Sequence, residues 1–193
     1  MKKYTILLFG ESELEISKII DKSIIKNHTI HLDLERKNLN CSLADEKNLI
    51  NEELEDSLLW AVLHEFNYAE WLLEFENVKQ KLNNCIKNNN RFIIITDTID
   101  RNLTYIAKEL CKSTKNNNKE CINIFCTPFK FFGEKHVKDS NEFKKEFLKY
   151  GTNNYYFDCN SLIDKIPKNA KLNDVLHIVY KTLFEKLNRI LFK

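Results

Sequence analysis

Only three glycines occur in 193 residues: Gly10, Gly133 and Gly151. Loops that cradle a phosphate with backbone N–H groups depend on glycine. A Cβ holds the chain away from the anion and disfavours the positive φ that such loops adopt. Nowhere in this chain do two glycines fall close enough together to build one. The chain must therefore turn its corners with ordinary L-residues, and a glycine-rich phosphate cradle is excluded from the start.

The core is filled with bulk instead. Thirteen Phe and seven Tyr stand in a chain that is 43% hydrophobic, enough for a single packed domain over residues 1–193. Lys plus Arg is 30 against 28 Asp plus Glu, a formal net charge of +2. That balance argues against a dedicated nucleic-acid binder, which concentrates a basic surplus. The one basic, polar stretch, Lys112 to Lys119, reads as a solvated loop rather than a phosphate patch. Met1-Lys2-Lys3 is followed by a short apolar run that stops at Gly10, which is not the pattern of a signal peptide, and no run is long enough to span a bilayer. Cys41, Cys85, Cys111, Cys121, Cys126 and Cys159 contain no C-x-x-C pair, so reduced thiols in a cytoplasmic protein are expected, with no metal site. His64-Glu65 begins like a zinc-protease motif, but Tyr68 stands where the second His is required.

Five short runs read as buried strands: Tyr4–Phe9, His28–Leu34, Arg91–Thr96, Cys121–Cys126 and Asn154–Asp158. The third is continuously apolar, as in a central parallel strand covered on both faces. Helical spacing is carried by Glu13–Ile25, Glu52–Phe66, Trp71–Ile86 and Asn102–Cys111. Asp139 or Ser140 can cap a further helix bearing Phe143, Phe147 and Leu148, with Gly151 beyond its end. The stripe Leu172, Leu176, Val179, Leu183, Leu187 and Ile190 predicts a long C-terminal helix. Strands alternating with helices give a doubly wound, mostly parallel α/β sheet with helices on both faces.

Several local segments, in this order, resemble the FtsZ/tubulin family. Thr127-Pro128-Phe129-Lys130-Phe131-Phe132-Gly133 is similar to the T-K-P-F-x-F-E-G stretch of FtsZ. Within His31–Lys47, Leu39, Ser42, Ala44, Asp45 and Lys47 match the run I-x-x-N-T-D-x-x-x-L-x-x-S-x-A-D-x-K. Ile106-Ala107-Lys108-Glu109-Leu110 reads I-A-K-E-L, Asp158–Ile163 resembles P-N-D-x-L-L, and Leu172–Leu176 resembles the L-L-D-A-F of the family's central helix. The resemblance implies the N-terminal, nucleotide-binding half of FtsZ, with the second domain lacking.

It also exposes departures. The glycine cluster that the family carries after its first strand is here Gly10-Glu11-Ser12-Glu13, and acids at a phosphate-facing helix start repel that ligand. The signature G-G-G-T-G-T-G is replaced by Thr96-Asp97-Thr98-Ile99-Asp100-Arg101-Asn102, in which β-branched Ile99 resists positive φ. Phe132 and His136 stand where the family has ribose-contacting Glu and Arg. Leu176 and Tyr180 stand for its base-stacking Phe and guanine-reading Asp, and only Asn160 remains at a base-reading position.

The candidate cofactor-binding positions are thus Gly10, Asp97 and Asn160; Asp97 reads with Asp100 either as a magnesium ligand or, in preference, as solvated loop and helix cap, and Asn160 either as a nucleotide contact or as a turn residue. Asp33 and Glu35 share one strand face, as paired carboxylates for acid–base work do, but without a partnering His at motif spacing. No catalytic residue, metal or cofactor is expected. The reading is a non-catalytic, pseudo-GTPase relative of FtsZ, acting through protein contact with FtsZ or with itself in bacterial cell division or its regulation. The alternative is a small-ligand sensor or enzyme using the switch-point crevice. Phe184, Leu191 and Phe192 fall partly off the terminal stripe and are the expected interface residues.

Overall fold

The structure is a computed structural model that describes residues 4–9, 16, 28–50, 76–97, 101–150 and 153–191. Six strands form one sheet: β1 (Thr5–Phe9), β2 (His28–Asp33), β3 (Glu46–Leu49), β4 (Arg91–Asp97), β5 (Glu120–Thr127) and β6 (Asn153–Asp158). Their order is β3-β2-β1-β4-β5-β6, and every pairing is parallel. The helices are α1 (Arg36–Cys41), α2 (Glu76–Lys87), α3 (Arg101–Asn116), α4 (Glu134–Phe147) and α5 (Leu172–Leu191). The helical patterns expected over Glu13–Ile25 and Glu52–Phe66 lie outside the described residues, apart from Ile16, which is helical and buried.

The period of two along each strand divides the core into two layers. Leu7, Phe9, Ile30, Leu32, Phe92 and Ile94 face α2, α3 and α4, whose Leu82, Ile106 and Phe147 complete one cluster. Ile6, Leu8, Ile93, Ile95, Ile122 and Ile124 face the other way, against Ile16 and α5. Burial on both sides explains why β4 reads as an uninterrupted apolar run.

Several expectations are corrected. The edge strand β3 was not foreseen, because Glu46-Lys47-Asn48-Leu49 has no apolar alternation. It forms because β2 offers an open edge and because Thr29 and Asp45 lock the entry, with Thr29 N and Oγ1 donating to Asp45 Oδ2 (2.7 and 2.8 Å) and Asp45 N donating to Thr29 Oγ1 (3.0 Å). Helix α4 starts at Glu134, not at Asp139 or Ser140. Gly133, at φ +110°, turns the chain there, and Ser140 is buried in mid-helix.

The third correction concerns Lys112–Lys119, whose first half is helix rather than loop. Helix α3 runs to Asn116 and closes with Lys119 N donating to Thr114 O (2.9 Å) and Asn118 N to Lys115 O (3.0 Å). Asn118 takes the left-handed φ of 54° that this closure requires. Lys119 Nζ then donates to the carbonyls of Ile86, Lys87 and Asn89 at the end of α2.

Helix α5 buries a wider arc than the predicted stripe. Val175, Val179, Tyr180, Leu183, Phe184 and Leu187 are all in the core, two adjacent rows rather than one. Phe184 is only 7% exposed, so it is not the surface anchor expected of it. From 173 to 189 the exposed side chains of α5 are polar: Asn173, Asp174, His177, Lys181, Glu185, Lys186 and Arg189. Leu172, counted in the stripe, is instead exposed at the first turn. The side chains of Leu191 and Phe192 lie outside the described residues.

Candidate functional site at the carboxyl edge of the sheet

In a doubly wound sheet, ligands settle outside the carboxyl ends of the strands where the order reverses. Here that point lies between β1 and β4, with Phe9 in register with Thr96. Both are buried. Asp97 ends β4 one step further on, in register with Cys126. Gly10, residues 11–15, residues 98–100 and the side chain of Asp97 lie outside the described residues. The two segments in which the resemblance places phosphate loops therefore contribute no geometry.

The other flank of the crevice is well defined. It is built by the turns after β5 and β6, and Asn160 sits at its centre. Asn160 Nδ2 donates to Pro128 O (3.2 Å) and to Asp158 Oδ1 (3.0 Å), while Asn160 Oδ1 accepts from Lys130 N (2.8 Å). Asp158 Oδ1 also accepts from Asn160 N (2.9 Å) and from Thr127 Oγ1 (3.3 Å), and Ser161 Oγ donates to Asp158 O (2.6 Å). One amide donor bond of Asn160 ties its loop to the other, and the second is local, to Asp158. An asparagine reads a base with the donors and acceptor lone pairs that are left over.

The neighbouring positions agree. Tyr180, at the place of the family's guanine-reading Asp, is 3% exposed and packs in the α5 layer. Phe132 is half-buried against that layer, Leu176 likewise, and His136 lies on the first turns of α4. The described side chains of this flank are thus engaged with the fold. The turn presents an aromatic ring outward, beside the exposed Lys130. Phe131 is 63% exposed and stacks on Phe129, with centroids 4.8 Å apart and planes at 13°, and its ring lies 5.0 Å from Phe132. Ile163, on the 3-10 turn Cys159–Lys165 that follows β6, and Leu172 are also exposed.

At the end of β2 the structure gathers a buried polar group. Asp33 Oδ1 accepts from Glu35 N (2.8 Å), and its Oδ2 accepts from Asn38 Nδ2 (3.1 Å). His31, two residues earlier on the same face, has Nε2 3.4 Å from Asp33 Oδ2, and neither ring nitrogen makes a hydrogen bond. Glu35 turns outward to Lys37, 2.7 Å away. The carboxylates Asp33 and Glu35, which alternation placed together, are thus separated in function: one anchors a turn and the other pairs at the surface. The alternation His31-x-Asp33 was the signal for the buried pair.

A cleft of about 370 Å³ opens at the opposite, amino edge of the sheet, lined by Tyr4, Thr5, His28 and Asn88–Arg91. Glu120 closes one side, accepting from Tyr4 OH (2.9 Å) and Arg91 Nε (3.0 Å). Burial first, and then the hydrogen bond and charge of Glu120, raise the Tyr4 phenol above its ordinary range. This cleft lies at the far end of the strands from the switch point. Among the described residues no cluster of His, Cys, Asp and Glu is arranged to hold a metal, and no helix is long and apolar enough to cross a membrane.

Neither a protein-family model nor a curated protein sequence matches the chain. Solved structures do match. The W319Y mutant of FtsZ from M. jannaschii superposes with a TM-score of 0.81 at 16% identity, covering 96% of this chain and 55% of that one. CetZ from Methanosaeta thermophila gives 0.74 at 11%, covering 98% and 54%. TubZ of the Clostridium botulinum phage c-st gives 0.63 at 13%, covering 96% and 58%. The chain spans somewhat more than half the length of each. With the six-stranded parallel sheet and the long terminal helix, these matches identify the fold as that of the FtsZ/tubulin type.

Proposed function

We propose that this chain is a non-catalytic FtsZ-like protein that acts by protein contact, in bacterial cell division or its regulation, with FtsZ or a second copy of itself as partner. The carrying observation is the engagement of Asn160. Its amide hydrogens close the loop on Pro128 and Asp158, at the one position where the resemblance left a base-reading side chain. Glu11, Glu13 and Ile99 in the phosphate segments point the same way, since acids repel phosphate and a β-branched residue resists the backbone that a cradle needs. Partner binding is supported by the exposed Phe131, held in place by stacking on the buried Phe129. Burying such a side chain against a partner contributes about 1.5–3 kcal/mol. A cytoplasmic location belongs to the same reading.

Calorimetric titration with GTP and magnesium is expected to give no heat of binding, and a dissociation constant in the micromolar range would overturn the reading. In the same preparation, Phe131→Ser is expected to weaken self-association or co-sedimentation with FtsZ filaments at least tenfold without changing the melting temperature. Equal association by both proteins would remove Phe131 from the interface. Ligand-dependent heat with another small molecule would favour the sensor alternative.

A further inference from the structure

The first layer of the core contains a polar group that the carboxyl-edge site does not use. Cys111, on α3, and Cys121, on β5, are brought together because the closure at Asn118 folds the strand straight back against the helix it follows. Cys111 Sγ lies 2.8 Å and Cys121 Sγ 3.2 Å from the same atom, Asn123 Oδ1. Asn123 is fully buried and passes the contact to the edge strand, its Nδ2 donating to Asn154 Oδ1 (2.8 Å). Neither cysteine is in a disulfide. Burial, reinforced by the second sulfur, holds the Cys111 thiol above its ordinary range, whereas the hydrogen bond with Cys111 draws the Cys121 thiol below its own.

We propose that Cys111 and Cys121 close into a reversible internal disulfide when the protein meets hydrogen peroxide, pinning α3 to the start of β5. The first thiol, as thiolate, attacks the O–O bond, forming a sulfenic acid and releasing water. The second thiol displaces the sulfenic oxygen, the S–S bond forms, and a second water leaves. Two thiols and one peroxide give one disulfide and two waters, the peroxide taking both electrons. The oxidant is small and uncharged, and it enters by opening of the last turn of α3, closed by the Asn118 and Lys119 backbone bonds.

The acceptor shared by the two sulfurs makes the disulfide labile. Neither sulfur carries a proton after oxidation, so Asn123 Oδ1 loses both donors while buried, and an orphaned buried acceptor favours return to the thiols. The strain falls on β5 and β6, whose far ends hold the Thr127, Asp158 and Asn160 network.

The test uses native protein exposed to hydrogen peroxide at the dose that fully oxidises the exposed Cys41, then blocked with N-ethylmaleimide, denatured, digested and weighed. The expected product is a 111–121 linked peptide pair lighter by two hydrogens, lost in Cys111→Ser and reversed by dithiothreitol. Wild-type protein with both Cys111 and Cys121 open to alkylation after denaturation would overturn the proposal. So would a linkage that forms only when urea is present during oxidation.

Discussion

Asn160→Ala separates a structural amide from a ligand-reading one. The substitution removes two bonds that cross between the loops, to Pro128 O and from Lys130 N, and one local bond to Asp158. A net hydrogen bond is worth about 0.5–1.5 kcal/mol, and the site is half exposed, so the two crossing bonds amount to about 1–2 kcal/mol. For a protein of this size that lowers the melting temperature by about 2–8 °C. Asn160→Asp should cost more than Asn160→Ala, because it keeps the acceptor for Lys130 N but sets a second carboxylate beside Asp158 Oδ1. Urea unfolding of the three proteins without ligand, with equal slopes, measures the difference. If Asn160→Ala unfolds at the wild-type midpoint, the network is not holding the loops, and the amide is again available to read a ligand.

Three further outcomes are expected. Phe184→Ala should cost about 3–5 kcal/mol in denaturant unfolding, as a buried aromatic does, because its ring is in the α5 layer. A loss below about 1 kcal/mol, with a change of sedimentation coefficient, would return Phe184 to the surface. Lys119→Met should lose about 1–2 kcal/mol, because the ammonium group satisfies three carbonyls at the end of α2, and faster amide exchange confined to α2 would be its signature. Burial, and to a lesser degree the charge of Glu46, push the Cys85 thiol up to about 11 from an unfolded value of 9.0. The unfolded chain then releases this proton first, so its contribution to stability is complete below pH 9 and is lost as the pH rises toward 11. Cys85→Ala should flatten that part of the stability profile, and an unchanged slope would show that Cys85 is not its source.

Much of the fold was legible because it rests on local pattern. The five strands foreseen are present to within a residue or two at each end, since a doubly covered parallel strand must be apolar on both faces and Ile93, Ile94 and Ile95 can hardly sit elsewhere. The candidate site was legible only as a location. Alternation of strands and helices implies a switch point, and the resemblance placed Asn160 beside it. What Asn160 does was hidden, because its partners Pro128 and Lys130 lie thirty or more residues away along the chain.

The sequence by itself determined the class of chain: a parallel α/β sheet, covered on both faces, without a glycine-rich loop. These follow from hydrophobic period and backbone sterics, which act between near neighbours. Only the tertiary structure decided which polar groups are consumed by the fold. The strand β3 exists because β2 had an open edge, with Asp45 reaching Thr29. Phe184 is core because the trough that receives α5 is two rows wide. Asn123 draws Cys111 and Cys121 together because α3 ends where it does. A hydrogen bond or a buried arc needs both partners in place, and where the second partner stands is set by the packing of layers rather than by the residues on either side of the first.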